Sequence, residues 1–152
     1  IRDRSVSRGL VDVYKRQELK NLLTKSLKMI GVWSVALFAL AQLIASPLAR
    51  IFVGYDPNLF DLTRHGFRIF CLAFLVNGFN IYGSSFFTAL NNGLLSAVIS
   101  FLRTLVFQIA SVLLLPMIFG IDGIWGAVFV AEILTLCVTI ICLAKKQKVY
   151  HY

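Results

Sequence analysis

The chain has 152 residues, of which 59% are hydrophobic and 14% charged, with a formal net charge of +8 and a mean hydropathy of +0.81. This is more apolar surface than a water-soluble domain of that size can bury, so a soluble globular fold is excluded and lipid is the expected solvent. In a lipid-dissolved chain the positive charge reads as topology and as contact with anionic membrane lipids; no nucleic-acid partner is expected.

Residues 1–17, IRDRSVSRGLVDVYKRQ, are basic, lack periodicity and join abruptly to a membrane-like sequence. They resemble a translated sequencing adapter and are set aside as a non-native leader. From Glu18 to Lys28, Leu19, Leu22, Leu23 and Leu27 recur near helical spacing, leaving Lys20, Lys25 and Lys28 for the water side, the pattern of an amphipathic lead-in. No residue between Lys28 and Arg50 is charged, and about 20 apolar residues suffice to cross a hydrocarbon core of about 30 Å. The first span is therefore placed at 29–49, with Pro47 ending or kinking it.

Arg50 to Arg68 reads as an outer loop, with His65 in it and without a partner. The second span is placed at 69–90 and ends at Asn91-Asn92-Gly93, a turn signal. A third span at 94–118, with Pro116 near its end, is followed by a turn over Phe119 to Gly123. A fourth at 124–144 runs into Lys145-Lys146, with residues 149–152 left as a tail. The expected fold is an all-α membrane protein, an antiparallel bundle of four transmembrane helices. Lys and Arg gather before the first span and after the fourth, which puts both ends in the cytoplasm.

Polar side chains inside spans are costly in lipid and should face a neighbour or a cavity. Asn77, Asn80, Ser84, Thr88 and Asn91 recur every three or four residues, which is one helix face. Ser96, Ser100, Thr104, Gln108 and Ser111 do the same in the third span, and Glu132, Thr135 and Thr139 in the fourth. Such stripes either knit helices together or line a water-accessible cavity, and spacing alone leaves both open. Glu132 lies about 14 Å from the preceding turn at helical rise, a depth that suits proton or sodium coupling as well as a structural role. Counted from the turn near Gly120, Arg103 lies offset from Glu132 by about 8 Å along the axis, and both side chains lean towards their own helix N-termini and hence apart. Arg103 is therefore expected to snorkel to the cytoplasmic headgroups. Cys71, Cys137 and Cys142 fall inside spans with neither a CxxC pair nor a histidine at ligand spacing, so they read as packing residues and no metal site is expected. A membrane-embedded enzyme would need clustered His, Asp or Glu at one face, which Glu132 alone does not supply.

Two stretches carry a family resemblance: PLARIFVGYDPNLFDLTRHGFRIF from Pro47, and SSFFTALNNGLLSAVISFLRTLVFQIASVLLLPMIFGIDGIWGAVFVAE from Ser84 to Glu132. With Arg50-Ile51-Phe52, Asp56-Pro57 and Phe67-Arg68-Ile69, and with Leu102-Arg103-Thr104 leading through Pro116 to Gly120-Ile121-Asp122-Gly123-Ile124-Trp125, they resemble the last four helices of multidrug and toxic compound extrusion (MATE) transporters. The resemblance implies a C-terminal piece, covering residues 18–148, of a twelve-helix, two-lobe bacterial transporter rather than an enzyme. It further implies an absent N-terminal lobe as partner, export of cationic or aromatic drug-like solutes, no cofactor, and sodium or protons as coupling ion. Sodium-coupled relatives can carry a carboxylate near the position of Asn77, whose amide cannot bear that charge, so the ion stays open. The candidate cavity-lining or coupling residues are Asn77, Asn80, Ser84, Thr104, Gln108 and Glu132. The alternatives are a flippase of lipid-linked sugars from the same superfamily and a structural membrane subunit.

Overall fold

The computed structural model describes the backbone of residues 2–150 and the side chains of residues 17–145. The leader assigned to 1–17 lies, but for the Gln17 side chain, outside the described side chains, as do those of the tail at 149–152. The described chain is helical, and four stretches are long and apolar enough to cross a membrane.

The first is α1 (Arg2–Val53). Pro47 does not end it, although it removes one donor from the ladder; the helix continues for more than a turn because a strongly apolar segment has no better way to satisfy its backbone in lipid. The expected outer loop is largely absent as well. After Gly54 and Tyr55 the chain re-enters a helix, α2 (Pro57–Phe70), with Asp56 as N-cap: its Oδ1 accepts from the backbone N–H of Asn58 at 2.9 Å and of Leu59 at 3.3 Å. An aspartate cap followed by proline at the first helical position is a favoured helix start. A single 3-10 turn (Cys71–Ala73) joins α2 to α3 (Phe74–Ala89), so the second crossing is one rod from Pro57 to Ala89.

Asn91 takes the left-handed conformation, φ 58°, that asparagine tolerates better than most side chains and that ends helices. Asn92 then caps α4 (Gly93–Phe101) through Oδ1 to the N–H of Leu95. A π-helical segment (Leu102–Phe107) links α4 to α5 (Gln108–Phe119). The last turn is tighter than the sequence suggested: Gly120 alone, at φ 61° and ψ −137°, reverses the chain into α6 (Ile121–Tyr150). Gly123 is then already helical, and a Cβ there would stand 2.4 Å from the carbonyl oxygen of Leu115.

The α2–α3 rod is central. It packs on α1 on one side and on α4 and α6 on the other, while α5 and the π segment close against α6; among the described residues α1 touches only the rod. Glycines set the closest approaches: Gly66 sits under the Trp125 ring, and Gly83 faces Thr139. The buried set is small and partly polar, with Asn80, Glu132, Thr135 and Thr139 beside Phe87, Ile99, Ala127 and Ala131, whereas Leu43 is 77% and Met117 83% exposed. Polar groups inside and large aliphatic groups outside are what a lipid solvent requires.

Candidate functional site

Asn77 and Asn80, three residues apart on α3, look across to α6 and to the π segment. Glu132 is 5% exposed, and its two carboxylate oxygens have different partners. Oε2 accepts from Asn80 Nδ2 at 2.7 Å, and the same amide nitrogen donates to the Glu132 backbone carbonyl at 2.8 Å. Oε1 receives Arg103 twice, from Nε at 2.9 Å and from Nη2 at 2.8 Å. Arg103 Nη2 also donates to Asn77 Oδ1. Asn77, Arg103, Glu132 and Asn80 thus form one charge-balanced cluster between three elements.

The ion pair overturns the expectation that Arg103 snorkels. That expectation counted every residue of the third crossing at α-helical rise and phase. The π segment begins one residue before Arg103, and its i→i+5 bonds pack more residues into a turn. The wider turn advances less along the axis and rotates the residues within and beyond it, bringing Arg103 back towards the depth of Glu132.

The same shift breaks the polar stripe of the third crossing. Before it, Ser96 and Ser100 face α3; within it Thr104 is exposed, and after it Gln108 is half-buried and Ser111 buried. Neither Thr104 nor Gln108 joins the cluster by a hydrogen bond among the described residues. Ser84 belongs to a second group near the α3–α4 turn: its Oγ bonds Ser96 Oγ at 2.8 Å and Ser100 Oγ at 2.9 Å, and Thr88 Oγ1 donates to Ser96 Oγ at 2.8 Å. Of the six candidates, Asn77, Asn80 and Glu132 meet in one cluster, and Arg103 is the member that sequence reasoning left out.

The amide of Asn80 is fixed by its surroundings. Its nitrogen must face the two Glu132 oxygens, since the flipped amide would set oxygen against oxygen. This leaves Asn80 Oδ1 buried with no partner among the described residues. On the far side of α3, Asn77 also lines a groove of about 350 Å³ between α1 and α3, with Trp33, Ser34, Phe74 and Gly78. Gly78 matters to that wall, because a Cβ there would come within 3.0 Å of Ile30. One face of Asn77 therefore meets an apolar, aromatic groove and the other the buried charges.

His65 is corrected too. It lies in α2, and its Nε2 is 3.0 Å from Asp122 Oδ1 in the first turn of α6, both side chains being more than half exposed. Gly66, next to it, brings α2 against Trp125, so the pair rides on a close helix contact.

The MatE family model matches residues 14–114, about two-thirds of the chain. The match takes in Asn77, Asn80, Ser84, Arg103, Thr104 and Gln108, and stops before Glu132. No curated protein and no solved structure gives a match. A match of that extent, over three of the four membrane-length helices, shows that the chain belongs to the MatE family, in the MATE superfamily of membrane transporters.

Proposed function

We propose that the chain is part of a multidrug efflux antiporter of a bacterial cytoplasmic membrane, exporting cationic or aromatic drug-like solutes in exchange for sodium or protons. Both described ends would then face the cytoplasm, and a complementary N-terminal lobe would complete the alternating-access machine. The observation that carries this reading is Glu132: a carboxylate 5% exposed, deep in a membrane-length helix and held by an arginine and an amide. An ionisable group at such depth is expensive, and by default marks an ion or substrate pathway. The groove on the other side of Asn77, walled by Trp33 and Phe74, suits an aromatic solute, which buries its ring while its charge looks for the carboxylate.

The test is efflux of a fluorescent cationic dye from a drug-sensitive bacterium expressing the complete parent transporter, with Glu132→Gln beside it. Export under an ion gradient by the parent and its loss, by about tenfold or more, in the variant support the reading. Equal export by both would leave Glu132 a structural role. A parent that moves no cationic dye but scrambles a lipid-linked sugar would make the protein a flippase instead.

A further inference from the structure

We propose that the groove between α1 and α6, across the face of α3, binds one anionic phospholipid, and that Lys20 and Lys28 hold its headgroup. This site lies apart from the charged cluster and does not depend on what the transporter carries. α1 and α6 both pack on the α2–α3 rod but not on each other among the described residues. The gap they leave is a cavity of about 310 Å³, walled by Leu27 of α1, Phe79 and Tyr82 of α3, and Leu136, Ile140 and Leu143 of α6.

The walls suit an acyl chain better than a further helix. Where helices of this bundle meet closely, a glycine makes the room: Gly78 against Ile30 and Ser34, Gly66 against Trp125, Gly83 against Thr139, as close packing in lipid requires. The groove offers long and branched side chains instead, with Ile140 54% exposed. Gly83, which also borders it, is already filled by the Thr139 methyl. Such a wall gives a helix no place for close backbone approach, whereas a thin, deformable chain needs none.

An acyl chain gains little by leaving one hydrocarbon for another, so the headgroup decides which lipid is held. Gly31 faces the Phe79 ring, and Lys28, three residues before it, stands on the same side of α1; Trp33 lies on the other, towards the α1–α3 groove. Lys20 is seven residues before Leu27, two turns out on the same line. Both lysines are exposed, and their stems carry the charge to the headgroup layer just beyond the groove. Glu18, the acidic side chain described at this end, is nine residues from Leu27 and so on the opposite side of α1. The hydroxyl of half-buried Tyr82 has no partner among the described residues, which leaves it for an ester or phosphate oxygen. A basic mouth on an apolar cleft between helices is the arrangement that retains anionic headgroups.

The experiment titrates phosphatidylglycerol or phosphatidylcholine of equal chain length into the complete transporter in detergent and reads retained lipid by native mass spectrometry. The wild type is expected to hold one phosphatidylglycerol at least about fivefold more tightly than phosphatidylcholine, the discrimination that one lysine gives near a membrane surface. Lys28→Gln should weaken phosphatidylglycerol by about fivefold and leave phosphatidylcholine unchanged. Lys25→Gln, more than half a turn round α1 from Leu27, should change neither. Ile140→Trp, which fills the groove, should abolish the retained phosphatidylglycerol. Equal affinities of the wild type for the two lipids would overturn the inference, as would equal losses in Lys25→Gln and Lys28→Gln, the mark of diffuse surface charge. A wild type that retains no lipid overturns it as well, and gives the groove to another part of the parent. If Ile140→Trp fails to fold, Leu27→Trp fills the groove from α1; undiminished retention in whichever folds overturns the site. Lipid retention is read without transport, so the result stands or falls apart from the antiport reading.

Discussion

Two polar regions lie on the same stripe of α3, and the structure makes different things of them. Near the α3–α4 turn, Ser84 and Thr88 meet Ser96 and Ser100 in a set of neutral hydroxyl bonds at partly exposed positions. One to two turns deeper, Asn77 and Asn80 meet Arg103 and Glu132 in a largely buried, charged cluster. Hydroxyls can fall back on the carbonyls of their own helix when a partner is lost. A buried charge has no such fallback. The first region therefore knits a hairpin, while the second holds groups whose only stabilisation is each other.

The largest test of that difference removes one charge. Glu132→Ala or Arg103→Ala should each lower stability by about 3 kcal/mol, because the survivor is left unpaired at membrane depth. The double variant Arg103→Leu/Glu132→Leu should recover most of that loss. Thermal unfolding of the detergent-purified transporter reads all three. A single variant that loses under about 1 kcal/mol would mean that water reaches the pair and that the cluster is no more committed than the hydroxyls.

A smaller effect tests the packing that sets the cluster's distances. Gly83 lies one turn beyond Asn80, and a Cβ on it would stand 2.3 Å from Thr139 Cγ2. Gly83→Ala gains about 1 kcal/mol of helix propensity, but must push α6 away from α3 at a cost of about 1–3 kcal/mol. Threonine is short and stiff at χ1 and cannot swing clear, so a net loss of about 1 kcal/mol is expected. Paired with Thr139→Ala, which removes the opposing methyl, the loss should vanish. If it persists, the approach of α3 to α6 is set elsewhere.

Much of this was legible in the sequence. Long apolar runs locate four crossings, and Asn91-Asn92-Gly93 and Gly120 mark two of the three turns, because apolar length and turn chemistry are local properties. The Asp56-Pro57 step is equally local but reads as part of a loop, since the charges of Asp61, Arg64 and Arg68 mask a helix that begins with a good cap. Three members of the cluster, Asn77, Asn80 and Glu132, were singled out by depth and spacing. Arg103 was not, because every residue was counted at the α-helical period and no residue type announces a π segment. Nor does spacing show that one stripe divides into glue and charge; that depends on what α6 and the π segment bring to α3. His65 found its partner 57 residues away, beyond any local pattern.

The smallest expected effect is at the hydroxyl region, where the contrast is sharpest. Ser84 Oγ touches both Ser96 and Ser100, so Ser84→Ala removes the hub of the group and should be the most damaging of its single changes. Yet Ser100 is exposed and Ser96 half-buried, and each can turn its hydroxyl to a carbonyl one turn back in α4. Interhelical hydrogen bonds of this kind in membrane proteins average about 0.6 kcal/mol, and alanine is the better helix former by a few tenths. Ser84→Ala should therefore shift stability by about 0.5 kcal/mol or less and leave dye export unchanged. A loss comparable with that of Glu132→Ala would show that the hydroxyls are also held without an alternative partner, and the functional stripe would then run unbroken from Asn77 to the α3–α4 turn.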